Sequence, residues 1–331
     1  MKGVRFWIGN ARYIALPQSI LPALVAICYA ATFDEFRLLY AIFALFGILA
    51  AHLAFNLFDD YFDYKKDSPY IRKQLDAEGF RARLGKCDYI TSGETTLRKL
   101  LQTAVILLVI ALAFGTIIFL KWGMGILYIA GLGGLLGYFY SAPPLSLSYR
   151  GLGIFVIVLM FGPLLMCGVL YASCGFVDST LIYLSIPVGI LVANIAYVHD
   201  VMDVEPDKKV GKKTLAVLLN NYTAIYVFAA IFNFLPWILI VAGVALEIIP
   251  MAYLFALLLL PHSIYLFYML LQFKKHPERT FRPQWWMQPM ERWEAIKTAG
   301  IDWFMIRWLL ARNILIYCCV IYIVVMLAVT C

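Results

Sequence analysis

The stretch Asn56-Leu-Phe-Asp59-Asp60-Tyr-Phe-Asp63-Tyr-Lys65-Lys66-Asp67 closes an apolar run that begins near Arg37, and its reading decides the fold. A second stretch of the same design, Asn194-Ile-Ala-Tyr-Val-His199-Asp200-Val-Met-Asp203-Val-Glu-Pro-Asp207, closes another apolar run that begins near Thr180. In each, three aspartates stand at i, i+3 and i+7: Asp60, Asp63 and Asp67 in the first, Asp200, Asp203 and Asp207 in the second. At 100° per residue each trio falls on one face of a helix. Both therefore read as the polar ends of long apolar helices.

Working outward, apolar runs of this kind recur along the whole chain. Of its 331 residues 63% are hydrophobic and only 14% charged, and the mean hydropathy is +0.83. A water-soluble domain is about half apolar and a quarter charged, so lipid is the expected solvent. The runs are about as long as a helix needs to cross a ~30 Å hydrocarbon layer. We expect an all-α membrane protein, a bundle of about nine transmembrane helices near residues 14–32, 37–60, 99–120, 122–140, 152–174, 180–200, 222–245, 249–272 and 308–330, forming a single domain with a cytoplasm-facing active-site cavity. The first run carries Pro17 and Pro22 and reads as a helix of the bundle rather than as a removable signal. Seven scattered cysteines, with no C-x-x-C, suggest neither a disulfide framework nor a zinc site.

The net charge of +7 follows from topology, not from nucleic-acid binding. If the helices alternate direction, 25 of the 27 Lys and Arg residues fall on one side, leaving only Arg37 and Lys121 on the other. The positive-inside bias then puts the N-terminus and the long polar stretches in the cytoplasm, in a multi-pass protein of the inner membrane. A Trp-rich stretch, Arg282-Pro-Gln-Trp285-Trp286 to Trp293, reads as an interfacial helix with an aromatic belt.

Placing carboxylates one turn apart at a helix C-terminus is costly, because they repel one another and meet the negative end of the helix dipole. A cation must compensate. Mg²⁺ is typically held by one or two carboxylates together with water and substrate phosphates. Basic residues follow each set: Lys65, Lys66, Arg72 and Lys73 after the first, Lys208, Lys209, Lys212 and Lys213 after the second. Metal with ammonium groups points to a diphosphate clamped between the two acidic stripes. A secondary cation transporter, the rival reading, would place its acids at broken helices near the midplane, whereas these stand at helix ends.

With these two motifs, the chain resembles the UbiA superfamily of intramembrane prenyltransferases, and most closely its 1,4-dihydroxy-2-naphthoate polyprenyltransferases of menaquinone synthesis. The family's N-D-x-x-D-x-x-x-D is matched by Asp59, Asp60, Asp63 and Asp67, with Asn56 one turn earlier. Its D-x-x-x-D followed by G-K-x-T-L is matched by Asp203, Asp207 and Gly211-Lys-Lys-Thr-Leu215. Weaker agreement comes from Arg12-Tyr-Ile-Ala-Leu-Pro17, Thr91-Ser-Gly-Glu94 and Tyr140-Ser-Ala-Pro-Pro-Leu-Ser-Leu-Ser-Tyr-Arg150. The chain departs from the pattern at Asp59, where the family has Asn, and at His199, Met202 and Ile154.

The resemblance implies transfer of a polyprenyl group from an allylic polyprenyl diphosphate to an aromatic acceptor, with Mg²⁺ as cofactor. It makes Asp59, Asp60, Asp63, Asp67, Asp200, Asp203 and Asp207 the metal set, and Arg12, Asn56, Arg72, Lys73, Asn194 and Lys208 the substrate-binding set. Asp63, Tyr140, Arg150, Lys212 and Lys213 become the catalytic candidates, with Asp63 or His199 as base. Acceptors other than the naphthoate, such as 4-hydroxybenzoate, a porphyrin, chlorophyllide or a glycerol phosphate, stay open. Residues 68–88 read either as a lid over the diphosphate or as a basic loop near anionic lipid.

Overall fold

The structure, a computed structural model, describes residues 3–66, 87–277 and 279–330. Its described residues are mainly helical, with no strand among them. Among the described residues eight helical segments are long and apolar enough to span a membrane: Tyr13–Ala30, Leu38–Lys66, Leu97–Trp122, Gly153–Cys174, Ser179–Met202, Tyr222–Ala245, Met251–Lys275 and Asp302–Ala328. The expected span at 122–140 is a 16-residue helix, Met124–Phe139, about 24 Å long at 1.5 Å per residue. That falls short of the ~30 Å hydrocarbon layer.

The chain divides into two compact units, one of Met1–Leu147 and Pro163–Ile182, the other of Ser148–Gly162 and Tyr183–Val329. In the first unit α1 (Val4–Asn10) and a 3₁₀ turn (Tyr13–Ala15) lead into α2 (Pro17–Ala30), with Pro17 at the first turn where its missing N–H costs nothing. Then come α3 (Leu38–Lys66), α4 (Asp88–Thr91), α5 (Leu97–Trp122), α6 (Met124–Phe139) and, later in the chain, α8 (Leu165–Cys174). The helix α3 packs along α5 and against α8. It runs six residues beyond the expected end at residue 60, so Asp60 and Asp63 lie inside its last two turns and Asp59 just before them. The reason is packing. Leu53, Leu57 and Asp60 share one stripe of α3, and that stripe is buried against Ala11, Cys87, Tyr89, Ile90, Leu100 and Ala104.

The second unit holds α7 (Gly153–Leu159) and most of α9 (Ser179–Met202), α10 (Val204–Lys209), α11 (Leu215–Leu219), α12 (Tyr222–Ala245), α13 (Leu260–Lys275), α14 (Trp293–Thr298) and α15 (Asp302–Thr330). Before α13 the chain is a 3₁₀ helix, Met251–Leu259. Pro261 has no N–H for the carbonyl four residues earlier, so the α-helical ladder cannot continue backward through it. The final helix begins at Asp302, not near 308, and so carries Arg307 and Arg312, which charge counting assigns to a loop. Both are buried, as is Asn313. Nor is the Trp-rich stretch one interfacial helix: it holds a single 3₁₀ turn, Trp285–Met287, and ends where the short helix Trp293–Thr298 begins.

Within the second unit, small residues let two segments approach closely. A Cβ built on Gly162 would lie 2.5 Å from the Ser185 carbonyl oxygen, and one on Gly189 would lie 2.3 Å from that of Val158. Carbonyls fixed in helical backbone cannot move aside as a flexible side chain can, which is the usual reason for glycine at membrane-helix crossings. Gly189→Ala should therefore lower the apparent Tm in detergent, by an overpacking penalty of about 1–3 kcal/mol. Gly131→Ala, whose added methyl meets nothing within 4 Å, should leave it unchanged or raise it.

Candidate active site

Arg12 organises the first acidic set. It stands in the left-handed region at φ 58°, an uncommon conformation for a residue with a side chain. From there its Nη2 donates to Asp59 Oδ2 at 2.9 Å, to the Asn56 carbonyl at 3.3 Å, and to Asp60 Oδ1. The same junction is held from the other side, where Asn56 Nδ2 donates to the Ala11 carbonyl at 2.9 Å. Burial alone would lower the Arg12 pKa, but Asp60 and Asp59 more than reverse this and raise it well above the ordinary value. The side chain is a permanent cation between two carboxylates.

The remaining oxygens of this pair are also engaged. Tyr89 donates its hydroxyl to Asp60 Oδ2 at 2.9 Å, and Ser141 donates to Asp59 Oδ1. Burial, then the adjacent Asp60 charge, pushes the Tyr89 phenol upward, so it stays protonated and remains a donor. Lys66 reaches the same loop, with its ammonium 3.1 Å from the Ser141 carbonyl and 2.9 Å from Ser146 Oγ. Tyr140, at the end of α6, is the residue before Ser141. Asp63, one turn beyond Asp60, is buried. Asp67, Arg72, Lys73 and most of the 68–88 stretch lie outside the described residues.

In the second set the helix does not run through all three aspartates. It stops at Met202, and Asp203, at φ −105° and ψ 16°, precedes the short helix α10 that carries Asp207. Asp203 and Asp207 are nonetheless one turn apart, the Asp207 N–H donating to the Asp203 carbonyl at 2.8 Å. Both carboxylates are buried, Asp207 to 1% exposure, while Asp200 is half-buried. His199 Nε2 lies 3.5 Å from Asp203 Oδ2, and its ring meets Phe304 edge-on.

After Asp207 the chain turns back tightly. The Lys212 N–H donates to the Asp207 carbonyl at 2.9 Å, and Gly211 takes the left-handed φ of 72° that this turn requires. Lys213 forms a β-bridge with Arg150, and the Lys212 ammonium lies 5.7 Å from the centre of the Tyr149 ring. The backbone thus brings Arg150, Lys212 and Lys213 together beside Asp207. Lys208 pairs with Glu205 at 3.2 Å on the surface. Asn194 is buried in an amide pair with Asn233, 3.2 Å from its Nδ2 to Asn233 Oδ1. A groove of about 560 Å³ lies along α12 and α13, lined by Tyr222, Tyr226, Phe267, Tyr268 and Lys274. No carboxylate lines it, so it offers nothing for a metal.

Two residues of the first network, Tyr89 and Ser141, are not named by sequence reasoning. Tyr89 stands just before the stretch Thr91-Ser-Gly-Glu94 and Ser141 inside the stretch Tyr140–Arg150, but their shared partnership with α3 shows only in three dimensions.

The UbiA prenyltransferase family profile matches residues 19–288, which include every described aspartate of both sets. The chain belongs to the UbiA prenyltransferase family. Among its relatives, the 1,4-dihydroxy-2-naphthoate octaprenyltransferase of Bacillus subtilis is 26% identical over 225 residues, covering 66% of this chain and 67% of that one. The fold is shared with solved UbiA structures. A structure of digeranylgeranylglyceryl phosphate synthase superimposes with a TM-score of 0.59 at 18% identity, over 99% of this chain and 100% of that one. A UbiA homologue from Archaeoglobus fulgidus bound to GPP and Mg²⁺ does so with a TM-score of 0.56 at 16% identity, over 92% of this chain and 99% of that one.

The Arg12 network makes a prediction about stability. Tyr89→Phe removes one donor from a buried carboxylate and should cost about 1–3 kcal/mol, read as a lower midpoint of thermal unfolding in detergent. Arg12→Ala should cost more than Tyr89→Phe. Adding Asp60→Asn to Arg12→Ala should recover part of that loss, because it removes the stranded charge.

Proposed function

We propose that this chain transfers a polyprenyl group from an allylic polyprenyl diphosphate to 1,4-dihydroxy-2-naphthoate, with Mg²⁺ as the required metal, at the cytoplasmic face of the inner membrane. The observation that carries the proposal is the burial of Asp203 and Asp207 one turn apart, beside a turn that gathers Lys212, Lys213 and Arg150. Paired buried carboxylates call for a shared cation, and the neighbouring fixed cations suit an anionic leaving group. The acceptor rests on the Bacillus subtilis relative and on the resemblance of the Tyr140–Arg150 stretch.

The residues present fit Mg²⁺. Among the described residues no group of three or more His, Cys, Asp or Glu side chains converges on one point. A closed protein cage is not what Mg²⁺ needs: one or two carboxylates suffice, with water and phosphate completing the octahedron. We assign Asp63 and Asp67, together with Asp203 and Asp207, as the principal ligands. Asp200 completes the second set, whereas Asp59 and Asp60, expected as metal ligands, have their oxygens taken by Arg12, Tyr89 and Ser141 and serve instead to hold Arg12. When bound, the metal neutralises negative charge developing on the departing diphosphate.

The chain's own groups then have distinct tasks. Arg150, Lys212 and Lys213 bind the phosphate oxygens as fixed positive charges. Arg12, held by Asp59 and Asp60, adds a further cation whose proton is never lost, and Asn56 fixes the backbone that presents it. Lys208, Arg72, Lys73 and Asn194 complete the substrate-binding set, and Tyr140 stands by for the acceptor. Asp63, or His199, takes the proton released when the aromatic ring is alkylated.

The test is prenyl transfer from radiolabelled diphosphate by purified protein in detergent, with no ion gradient, over a panel of acceptors. The expected result is a Mg²⁺-dependent product with 1,4-dihydroxy-2-naphthoate and less with 4-hydroxybenzoate or a glycerol phosphate. Asp63→Asn and Asp207→Asn should each abolish turnover without changing expression. A different preferred acceptor would overturn the naphthoate assignment, and normal turnover in either variant would overturn the metal assignment.

A further inference from the structure

The last two long helices carry polar residues that the proposed chemistry does not use. Arg307 and Arg312 are buried to 0% and 1% exposure, and Asn313 is fully buried. Such residues are costly within a membrane-spanning helix unless each is paired. Arg307 donates to the helical carbonyls of Met269, at 3.0 Å, and Trp303, and Arg312 to the Asn313 side chain, but all three residues also hold the segment that joins the two helices.

Arg307 Nη2 donates to the Arg279 carbonyl at 3.4 Å, and its guanidinium stacks 5.2 Å from the Phe281 ring centre. Asn313 Nδ2 donates to the carbonyls of Met287 at 2.7 Å and Pro289 at 2.9 Å. Arg312 donates to the same Pro289 carbonyl at 3.2 Å and pairs with Glu291 at 3.2 Å. Deeper still, the Trp286 carbonyl meets both His262 Nε2 at 3.2 Å and the Tyr317 hydroxyl at 3.4 Å.

The level of this segment can be read from both helices. Phe273 of α13 and Trp303 of α15 stack with their planes 8° apart, and Lys274, Lys275 and Asp302 follow directly outside them, as at a membrane boundary. His262 lies eleven residues inward from Phe273 and Asn313 ten inward from Trp303, each about 15–17 Å at 1.5 Å per residue. Tyr317 lies about 21 Å inward by the same rise. Two antiparallel helices thus agree on a depth near the middle of a ~30 Å layer. Non-helical backbone is tolerated there only when protein groups satisfy it, and the arginines, Asn313, Tyr317 and His262 do so. Met287 and Met290 are buried, while Trp285 at the tip is 85% exposed.

We propose that residues 281–291 form a re-entrant loop, which enters and leaves by the boundary marked by Phe273 and Trp303, and that its tip presents Trp285 to lipid hydrocarbon. The proposal is independent of the prenyl-transfer reading. Glu291 accompanies the loop as the ion-pair partner of Arg312, and so enters without an isolated charge.

The test uses the full chain reconstituted in phosphatidylcholine vesicles, with tryptophan fluorescence compared between wild type and Trp285→Phe. That substitution removes an exposed side chain, so the fold is retained. The difference signal belongs to Trp285. It should be lost in vesicles of chain-brominated phosphatidylcholine and be insensitive to aqueous iodide. Loss of the signal to iodide, or indifference to both quenchers, would overturn the proposal. In Asn313→Leu, which deletes both carbonyl contacts, the Trp285 signal should lose its bromolipid sensitivity and gain sensitivity to iodide; an unchanged pattern would overturn the anchoring role of Asn313.

Discussion

Charge removed from water must meet opposite charge or a complete set of hydrogen bonds, and this constraint shapes both units. A buried carboxylate at the end of an apolar helix has lost most of its hydration and faces the negative end of the helix dipole. In the first unit the response is local and made of protein. Arg12 turns into the left-handed region to reach two carboxylates at once, and Tyr89 and Ser141 take the oxygens that remain. Because Asp60 is satisfied there, its stripe of α3 can stay buried and the helix can run on to Lys66.

In the second unit the acidic residues are arranged differently. The helix breaks at Asp203, and a tight turn at Gly211 folds the following lysines back over Asp207. Arg150 joins them by backbone pairing with Lys213. The positive charges are thus gathered close to Asp207 by main-chain geometry. The same constraint explains the polar cluster of α15, where buried arginines are matched by carbonyls of α13, of α15 itself and of the segment between them.

Much of this was legible in the linear chain. Apolar run length marked the helices because hydrocarbon thickness sets their minimum length. The aspartate spacing marked the candidate site because helical periodicity is independent of tertiary context. Helix limits were less legible. Hydropathy ends α3 at its first charges, whereas pairing of Asp60 with Arg12, 48 positions away, lets it continue. Tyr89 and Ser141 were missed for the same reason, since hydrogen bonds spanning 29 and 82 positions leave no periodic trace. Arg307 and Arg312 look like loop charges by composition alone. Their carbonyl partners, Met269 and Trp303 as well as Arg279 and Pro289, reveal why a spanning helix holds them.

The central claim is that buried carboxylates of both sets take up Mg²⁺ in order to bind a diphosphate. Its most direct measurement is equilibrium binding of geranyl S-thiolodiphosphate, which resists ionisation, to the detergent-solubilised chain with and without Mg²⁺. Binding that requires Mg²⁺ in the wild type and is lost in Asp63→Asn and in Asp203→Asn is the expected result. Equal binding with and without the metal, or undiminished Mg²⁺-dependent binding in either variant, would contradict it.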